Sequence, residues 1–231
     1  MKNFIKILVV GLCAFAVTVT AYSFNYSNYR NGENPKKAAI NSTYQNSESL
    51  KQGGMKVRLL EGEAEKQYLD SWKQNQDVFP SVDEINKALP FKIKLPKVNI
   101  TGQPTIYASK NKEPDKVTIT VFYRGGLNNL HMVIFKTAEV IDYYQTVKEM
   151  EDDIKNDICK VDQPPKVVSV NGMTGWGIEP GYNIVNGEKS PRPGFVSWSD
   201  NMIQYTIYGT PGEKGHSLEQ LLKMASSTYE T

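Results

Sequence analysis

The chain of 231 residues is predicted to fold as an α+β domain, in which a curved antiparallel β-sheet carries helices packed on one face. Three observations predict this class. Segments with strand periodicity come in consecutive pairs joined by turn residues. Segments with helical periodicity precede, interrupt and follow those pairs. No repeat at solenoid or propeller periods divides the chain, so one domain is the simplest organisation.

The N-terminus has the pattern of an export signal. Lys2 and Lys6 precede a mostly apolar run at residues 7–21. Because positive residues stay on the cytoplasmic side, the remainder of the chain is expected outside. The run is shorter than a span of roughly 20 residues and ends at Ala21, which predicts cleavage there. An uncleaved anchor is the alternative, so residues 1–21 are a signal peptide or a membrane anchor.

The two cysteines predict neither a lipid anchor nor a disulfide. Cys13 lies inside the apolar run, but Leu12 stands where a lipoprotein signal has a small residue, so Cys13 is interpreted as an apolar filler. Removal of the signal leaves only Cys159, which then has no intramolecular partner. Stability is therefore expected to come from packing.

Residues 22–54 are rich in Asn, Ser, Tyr, Lys and Gly and contain few aliphatic side chains. Such a segment buries too little apolar area to fold and is predicted to be a disordered linker. Its tyrosines leave contact with a partner or the cell wall as an alternative. Residues 55–231 then form the extracytoplasmic α+β domain.

Four segments of this domain have helical signals. Apolar stripes predict helices at residues 61–74 and 138–158. Ser81 with Glu84, and Ser217 with Gln220, match the capping box, in which serine and the acidic or amide side chain satisfy backbone donors reciprocally. These patterns predict a helix at residues 81–89 and another from Ser217 onward.

The strand signals come mainly as three hairpins. Asn171-Gly172 and Asp200-Asn201 supply turn residues for the second and third. The predicted strand pairs are 116–123 with 130–135, 166–170 with 174–178, and 194–199 with 202–208. Residues 91–95 alternate in the same way and predict a further strand.

A family resemblance rests on several short segments in a fixed order. They are LPFKIKLP at residues 89–96, VNG at 170–172, VSW at 196–198, QYTIYG at 204–209 and the Ser-capped segment 217–226. From about Ser81 to the end, the chain resembles a domain family of unknown function from Gram-positive bacteria. That domain occurs in exported lipoproteins and at the outer end of membrane proteins of anti-sigma-factor type. It is similar in fold to the sheets of periplasmic lipoprotein carriers and envelope sensors.

Two departures limit what the resemblance implies. Only six residues precede the apolar run, too few for a segment that binds a sigma factor. Leu12 departs from the lipoprotein signal. The resemblance therefore implies a secreted or anchored domain of the Gram-positive envelope, a fold-level analogy rather than a mechanism.

No catalytic, cofactor-binding or metal-binding residue is predicted. His131 alternates within a strand, and His216 stands directly before a helix cap, without a nucleophile beside either. The acidic residues 149–153 lie on a predicted helix and lack the glycine turn of a calcium loop. Residues 172–177 contain three glycines but lack the Lys-Ser/Thr ending of a phosphate loop. A hydrolase is the least favoured of three function classes.

Strand aromatics are the candidate ligand-binding residues. A concave sheet could present Phe122, Trp176, Trp198 and Tyr205 to a ligand, although alternating aromatics are also typical of cores and cross-strand pairs. The predicted function is a non-catalytic binding or regulatory module for a lipid, peptide or protein, with a structural or assembly subunit as the alternative. The expected partners are an envelope protein or a hydrophobic ligand, and the membrane if the N-terminal segment stays uncleaved. The formal net charge of +2 argues against nucleic acid.

Overall fold

A computed structural model describes residues 62–98, 103–110, 113, 117–125, 128–156, 160–185 and 188–229. The predicted signal or anchor (1–21), the predicted linker (22–54) and both cysteines lie outside these residues. The described part is an antiparallel sheet of nine strands with four helices, which confirms an antiparallel α+β fold. None of these four helices is long and apolar enough to cross a membrane.

The elements alternate irregularly along the chain. The helices are α1 (Gly62–Lys73), α2 (Val82–Ala88), α3 (Tyr143–Lys155) and α4 (Leu218–Ser227). The strands are β1 (Gln76–Phe79), β2 (Thr105–Ser109), β3 (Thr118–Phe122), β4 (His131–Lys136), β5 (Lys166–Val170), β6 (Met173–Ile178), β7 (Gly181–Val185), β8 (Glu188–Asp200) and β9 (Ile203–Pro211). Their order in the sheet is β1-β2-β3-β4-β9-β8-β6-β5, and β7 pairs with the first part of β8.

Two tight turns set the register of the hairpins. Asn171 and Gly172 both have positive φ (47° and 82°) between β5 and β6, as predicted for a two-residue hairpin loop. Between β8 and β9 the positive-φ residues are Asn201 and Met202, at 50° and 64°. Because Asp200 pairs with Ile203, this turn lies one residue later than predicted.

Three strands were not predicted, and one predicted strand is absent from the sheet. The missed strands β1, β2 and β7 have only four or five residues each. Apolar and polar side chains alternate in residues 91–95 because Ile93 is buried in the core. The main chain at Ile93 is hydrogen-bonded to a side chain and not to a neighbouring strand. Asn86 accepts a hydrogen bond from the Ile93 N–H (2.8 Å) and donates one to the Ile93 carbonyl (3.0 Å).

The two predicted capping boxes form to different extents. Ser217 and Gln220 form the complete capping box of α4. At the start of α2, Ser81 Oγ accepts a hydrogen bond from the Glu84 N–H, but the Glu84 carboxylate accepts one from Lys87, so only the serine half of the predicted box is present. Asp142 caps α3, so this helix begins later and ends earlier than the predicted range of 138–158.

Cross-strand partners point to the same side of a sheet, so the register defines two faces. One face, here called the core face, carries Ile106, Val121, Met132, Ile207 and Val196 in one row. Helices α2 and α4 pack on it through fully buried residues such as Ile85 and Leu221. The opposite side, here called the aromatic face, carries Tyr107, Thr120, Val133, Thr206, Ser197 and Trp176 in one row.

Helices α1 and α3 pack on the aromatic face. The ring of Trp72 in α1 lies 5.2 Å from that of Tyr107, and Val147 and Met150 of α3 cluster with Trp176. The prediction that the helices share one face is therefore wrong. Both faces of this sheet carry large apolar side chains, and each needs its own covering layer.

Candidate functional site

A continuous row of rings crosses the aromatic face. Phe122, His131, Tyr208 and Phe195 are cross-strand neighbours on β3, β4, β9 and β8. Their successive ring centroids are 5.9, 5.0 and 5.6 Å apart, and Trp176 of β6 lies 4.6 Å from Phe195. At the other end, Trp72 and Tyr107 contact Phe122, each at 5.8 Å. These seven residues are called the aromatic row below.

A second row, of hydroxyl side chains, runs beside the aromatic row. Thr206 Oγ1 and Gln204 Nε2 each donate a hydrogen bond to Ser197 Oγ, at 3.0 and 2.9 Å. The Tyr143 hydroxyl of α3 bonds Ser199 Oγ at 2.6 Å. Thr120 differs from these residues because it is 1% exposed and its hydroxyl has no partner among the described residues. This buried hydroxyl of β3 thus receives no hydrogen bond from the part of the chain that the structure describes.

The aromatic face carries no charge at its paired strand positions. Excluding β7, and counting β8 from Phe195, these positions hold only apolar, aromatic, hydroxyl, amide and imidazole side chains. The nearby lysines Lys136 and Lys166 belong to the core-face side of their strands. A ligand on the aromatic face would meet no fixed countercharge from the sheet.

His131 is itself uncharged in this setting. Its Nδ1 lies 2.8 Å from the Asn129 carbonyl oxygen, and because a carbonyl only accepts, Nδ1 carries the proton and Nε2 is an acceptor. Burial lowers the pKa of His131 to about 4, against the smaller opposing effect of the Asn129 carbonyl. Burial also raises the pKa of its stacked neighbour Tyr208 far above the usual value. Both rings are neutral near pH 7.

The two histidines have different contacts among the described residues. Phe122, Tyr208 and the Asn129 carbonyl surround His131. His216 Nδ1 accepts the Thr210 N–H at 3.3 Å and lies 3.4 Å from the Thr210 hydroxyl, while burial and the positive charge of Arg124 lower the pKa of His216. Among the described residues no group of three His, Cys, Asp or Glu side chains is placed to hold a metal ion.

The four aromatic residues singled out by sequence do not lie together. Phe122 and Trp176 belong to the aromatic row, whereas Trp198 and Tyr205 lie on the core face, 0% and 1% exposed. The last two rings stack at 5.3 Å, and Trp198 Nε1 donates a hydrogen bond to the Tyr229 hydroxyl. The register separates the pairs, because Trp176 lies opposite Ser197, one residue before Trp198.

Other members of the face were missed by sequence reasoning. Trp72, Tyr107 and Thr120 join the aromatic face only through the pairing of β2 with β3 and the packing of α1. The residue pattern of the first hairpin does contain one usable signal. Thr120 and Phe122 are two apart in a strand and must share a side.

Helices α1 and α3 flank this face and leave two strands between them. Trp72 of α1 contacts β2 and β3. Helix α3 packs on β5 and β6 and also contacts β8, through Phe195 and through the bond from Tyr143 to Ser199. The strands between are β4 and β9, a strip roughly 10 Å wide at the usual strand spacing of about 4.8 Å. Its central residues Val133 and Thr206 are buried.

Comparison of the chain with protein-family models, curated proteins and solved structures finds no match.

Proposed function

We propose that this domain is a non-catalytic binding module of the cell envelope, and that its aromatic face holds an uncharged, mainly apolar ligand between α1 and α3. The observation that carries the proposal is the composition of that face. It combines a continuous aromatic row with a buried hydroxyl, that of Thr120, which has no partner among the described residues, and the paired positions considered above carry no charged side chain.

The absence of charge at these positions favours an uncharged ligand. A charged group that leaves water costs several kcal/mol unless it gains a counterion or hydrogen bonds. The rings of Phe195 and Trp176 pack with Val147 and Met150 of α3 in a buried apolar cluster, which would supply apolar contact area once α3 shifts. Each fully buried apolar group of side-chain size contributes about 1.5–3 kcal/mol.

The hydrogen bonds of the face favour a ligand with one polar group. Ser197, Thr206 and Gln204 are bonded to one another. A buried hydroxyl without a partner costs about 1–3 kcal/mol, which a ligand carbonyl or hydroxyl at Thr120 would recover. Because protein atoms already bury Thr120, Val133 and Thr206, this ligand reaches the face only when α1 or α3 shifts away from the sheet.

The expected setting of this module is outside the cytoplasmic membrane of a Gram-positive cell. Support comes from the export pattern at residues 1–21 and from the family resemblance of residues 81–231. An uncharged amphiphile of the envelope fits both this setting and the chemistry of the aromatic face.

An assembly subunit is the second candidate function, and one observation favours it. Val140 and Tyr144 are 85% and 67% exposed, and Met202 at the β8–β9 turn is also exposed. The Thr137 N–H and hydroxyl both donate to the Met202 carbonyl, which holds this segment against the turn. Exposed apolar residues grouped at one end of a domain are typical of protein contacts.

Tryptophan fluorescence separates the two candidates. Trp72 and Trp176 lie on the aromatic face, and Trp198 lies on the core face. The emission of Trp198→Phe therefore comes from the two rings of the aromatic face. The emission of the double variant Trp72→Phe/Trp176→Phe comes from Trp198. The probe is 1-monopalmitoylglycerol, an uncharged amphiphile, with palmitate at pH 8 as the charged counterpart. We expect the uncharged probe to change the emission of Trp198→Phe much more than that of the double variant.

The hydroxyl is tested by a matched pair of substitutions. Thr120→Val should weaken binding of the uncharged probe about 5- to 10-fold, the equivalent of one hydrogen bond. Thr174→Val, at an exposed position of the same face, should leave it unchanged. If neither probe changes the emission, and native mass spectrometry of the full chain shows no adduct removable by organic solvent, the binding proposal fails. Self-association that Tyr144→Asp abolishes would then support the assembly subunit.

A further inference from the structure

A second buried polar site lies away from the aromatic face, where β7 pairs with β8. Arg192 and Asn183 are 4% and 2% exposed. Gly181 pairs with Arg192 and Asn183 with Ser190, so the side chains of Arg192 and Asn183 lie on one side of this hairpin as diagonal neighbours. A buried guanidinium and a buried amide therefore share one small region.

The guanidinium of Arg192 is only partly bonded. Nη1 donates to the Glu179 carbonyl at 2.8 Å and Nη2 to Asp162 Oδ1 at 3.3 Å. Nε is buried and has no partner among the described residues, and the same holds for Asn183 Oδ1. One buried donor and one buried acceptor on the same side of this hairpin thus have no partner among the described residues, and they are not bonded to each other.

The Asp162 carboxylate does not accept a hydrogen bond from Arg192 Nε, because other contacts fix the position of this carboxylate. Its Oδ1 also accepts the Tyr182 N–H at 2.9 Å. The carboxylate lies directly over Gly181, where a Cβ atom would collide with both of its oxygens. The chain before β5 is held to β7 as well, since the Asp162 N–H donates to the Tyr182 carbonyl and the Ile184 N–H donates to the Lys160 carbonyl.

We propose that a single internal water molecule binds here, accepting a hydrogen bond from Arg192 Nε–H and donating one to Asn183 Oδ1. An anion would face Asn183 Oδ1 and the Asp162 carboxylate, and a cation would face Arg192, so the site selects a neutral species. The ligand must both accept and donate, and because the two atoms are buried it must be small. Water meets these conditions and commonly satisfies buried polar groups in this way.

The first test uses the unaltered, isotope-labelled chain. A bound water should give cross-peaks between the water resonance and Arg192 Hε whose signs are opposite in NOE and ROE spectra. Proton exchange would give the same sign in both spectra. Same-sign peaks, or no peak at all, would overturn the proposal.

The second test counts long-lived water by oxygen-17 relaxation dispersion. Asn183→Leu is close to isosteric and removes the acceptor, so the dispersion amplitude should fall by the equivalent of one water. Arg192→Lys, which keeps the charge beside Asp162 but removes Nε–H, should give the same fall, and Thr174→Val should give none. If Asn183→Leu and Arg192→Lys fold and their dispersion amplitudes equal that of the unaltered chain, the proposal is contradicted. If these variants do not fold, the NOE measurement on the unaltered chain decides.

Discussion

Lowering the pH from 7 to 4 is expected to destabilise this domain through His131. In the folded chain the pKa of His131 is about 4, compared with 6.5 for an ordinary histidine, because burial among rings disfavours the charged imidazole. Between these two values the unfolded chain binds a proton at this residue and the folded chain does not. The free energy of unfolding must then rise with pH across the interval and fall as the solution is acidified.

The size of the effect follows from the two pKa values. At about 1.4 kcal/mol per pKa unit, the interval from 6.5 to about 4 corresponds to about 3 kcal/mol. This contribution is complete above pH 6.5 and is lost by about pH 4. A loss of this size is a large part of the 5–15 kcal/mol that stabilises a typical domain. The groups that face His131 are Phe122, Tyr208 and the Asn129 carbonyl, so its described neighbours offer no carboxylate to relieve a positive charge.

The measurement is urea unfolding at several pH values between 7 and 4, followed by circular dichroism, with His131→Phe as the reference. Phenylalanine keeps a ring between Phe122 and Tyr208 but does not titrate. The carboxylates and His216, whose pKa is also lowered by burial, titrate in both chains, so the difference between the two curves isolates His131. We expect that difference to change by about 3 kcal/mol over the interval. Parallel curves for the two chains would refute the reasoning.

Three further predictions concern the buried hydroxyls, a close contact of the sheet and a helix cap. Thr120→Val removes a buried hydroxyl without a described partner and should leave the free energy of unfolding unchanged or raise it by about 1 kcal/mol. Thr206→Val breaks a hydrogen bond and should lower the free energy of unfolding by about 1 kcal/mol. Urea titrations in which Thr120→Val is the less stable of the two variants would contradict this prediction. Gly177→Ala should cost about 1–3 kcal/mol, because its Cβ would lie 2.5 Å from a leucine of α4 and 2.6 Å from a carbonyl of β8. Gly125→Ala, which meets nothing within 4 Å, is the control, and equal melting temperatures for the two alanine variants would show the clash to be unimportant. Ser217→Ala should cost about 1 kcal/mol through loss of the α4 cap, and an unchanged thermal midpoint would show that the cap contributes little.

The elements that sequence reasoning located depend on interactions between residues close in the chain. The turn at Asn171 and Gly172 and the cap at Ser217 are examples, since each joins groups no more than three or four residues apart. Strands β1 and β2 were missed because each is short and their partners are distant in sequence. Gln76 pairs with Ser109, for example, across a stretch that includes a helix.

The candidate site was predictable only in part, for the same reason. Two of its aromatic members, Phe122 and Trp176, could be named as possible ligand-lining residues because they belong to strands with clear alternation. The face on which each aromatic residue lies could not be read from composition. Trp198 and Tyr205 have the same residue types and the same kind of pattern, yet the register places them on the core face.

The sequence by itself determined the antiparallel α+β class, three hairpins and the serine caps of α2 and α4, because these depend on side-chain periodicity and on local hydrogen bonds. Only the tertiary structure decided which side of the sheet each helix covers and which rings meet in the aromatic row. It also decided that Thr120, Arg192 and Asn183 keep polar atoms without partners among the described residues. These properties depend on strand register, and in a sheet a shift of one residue moves every side chain to the opposite face.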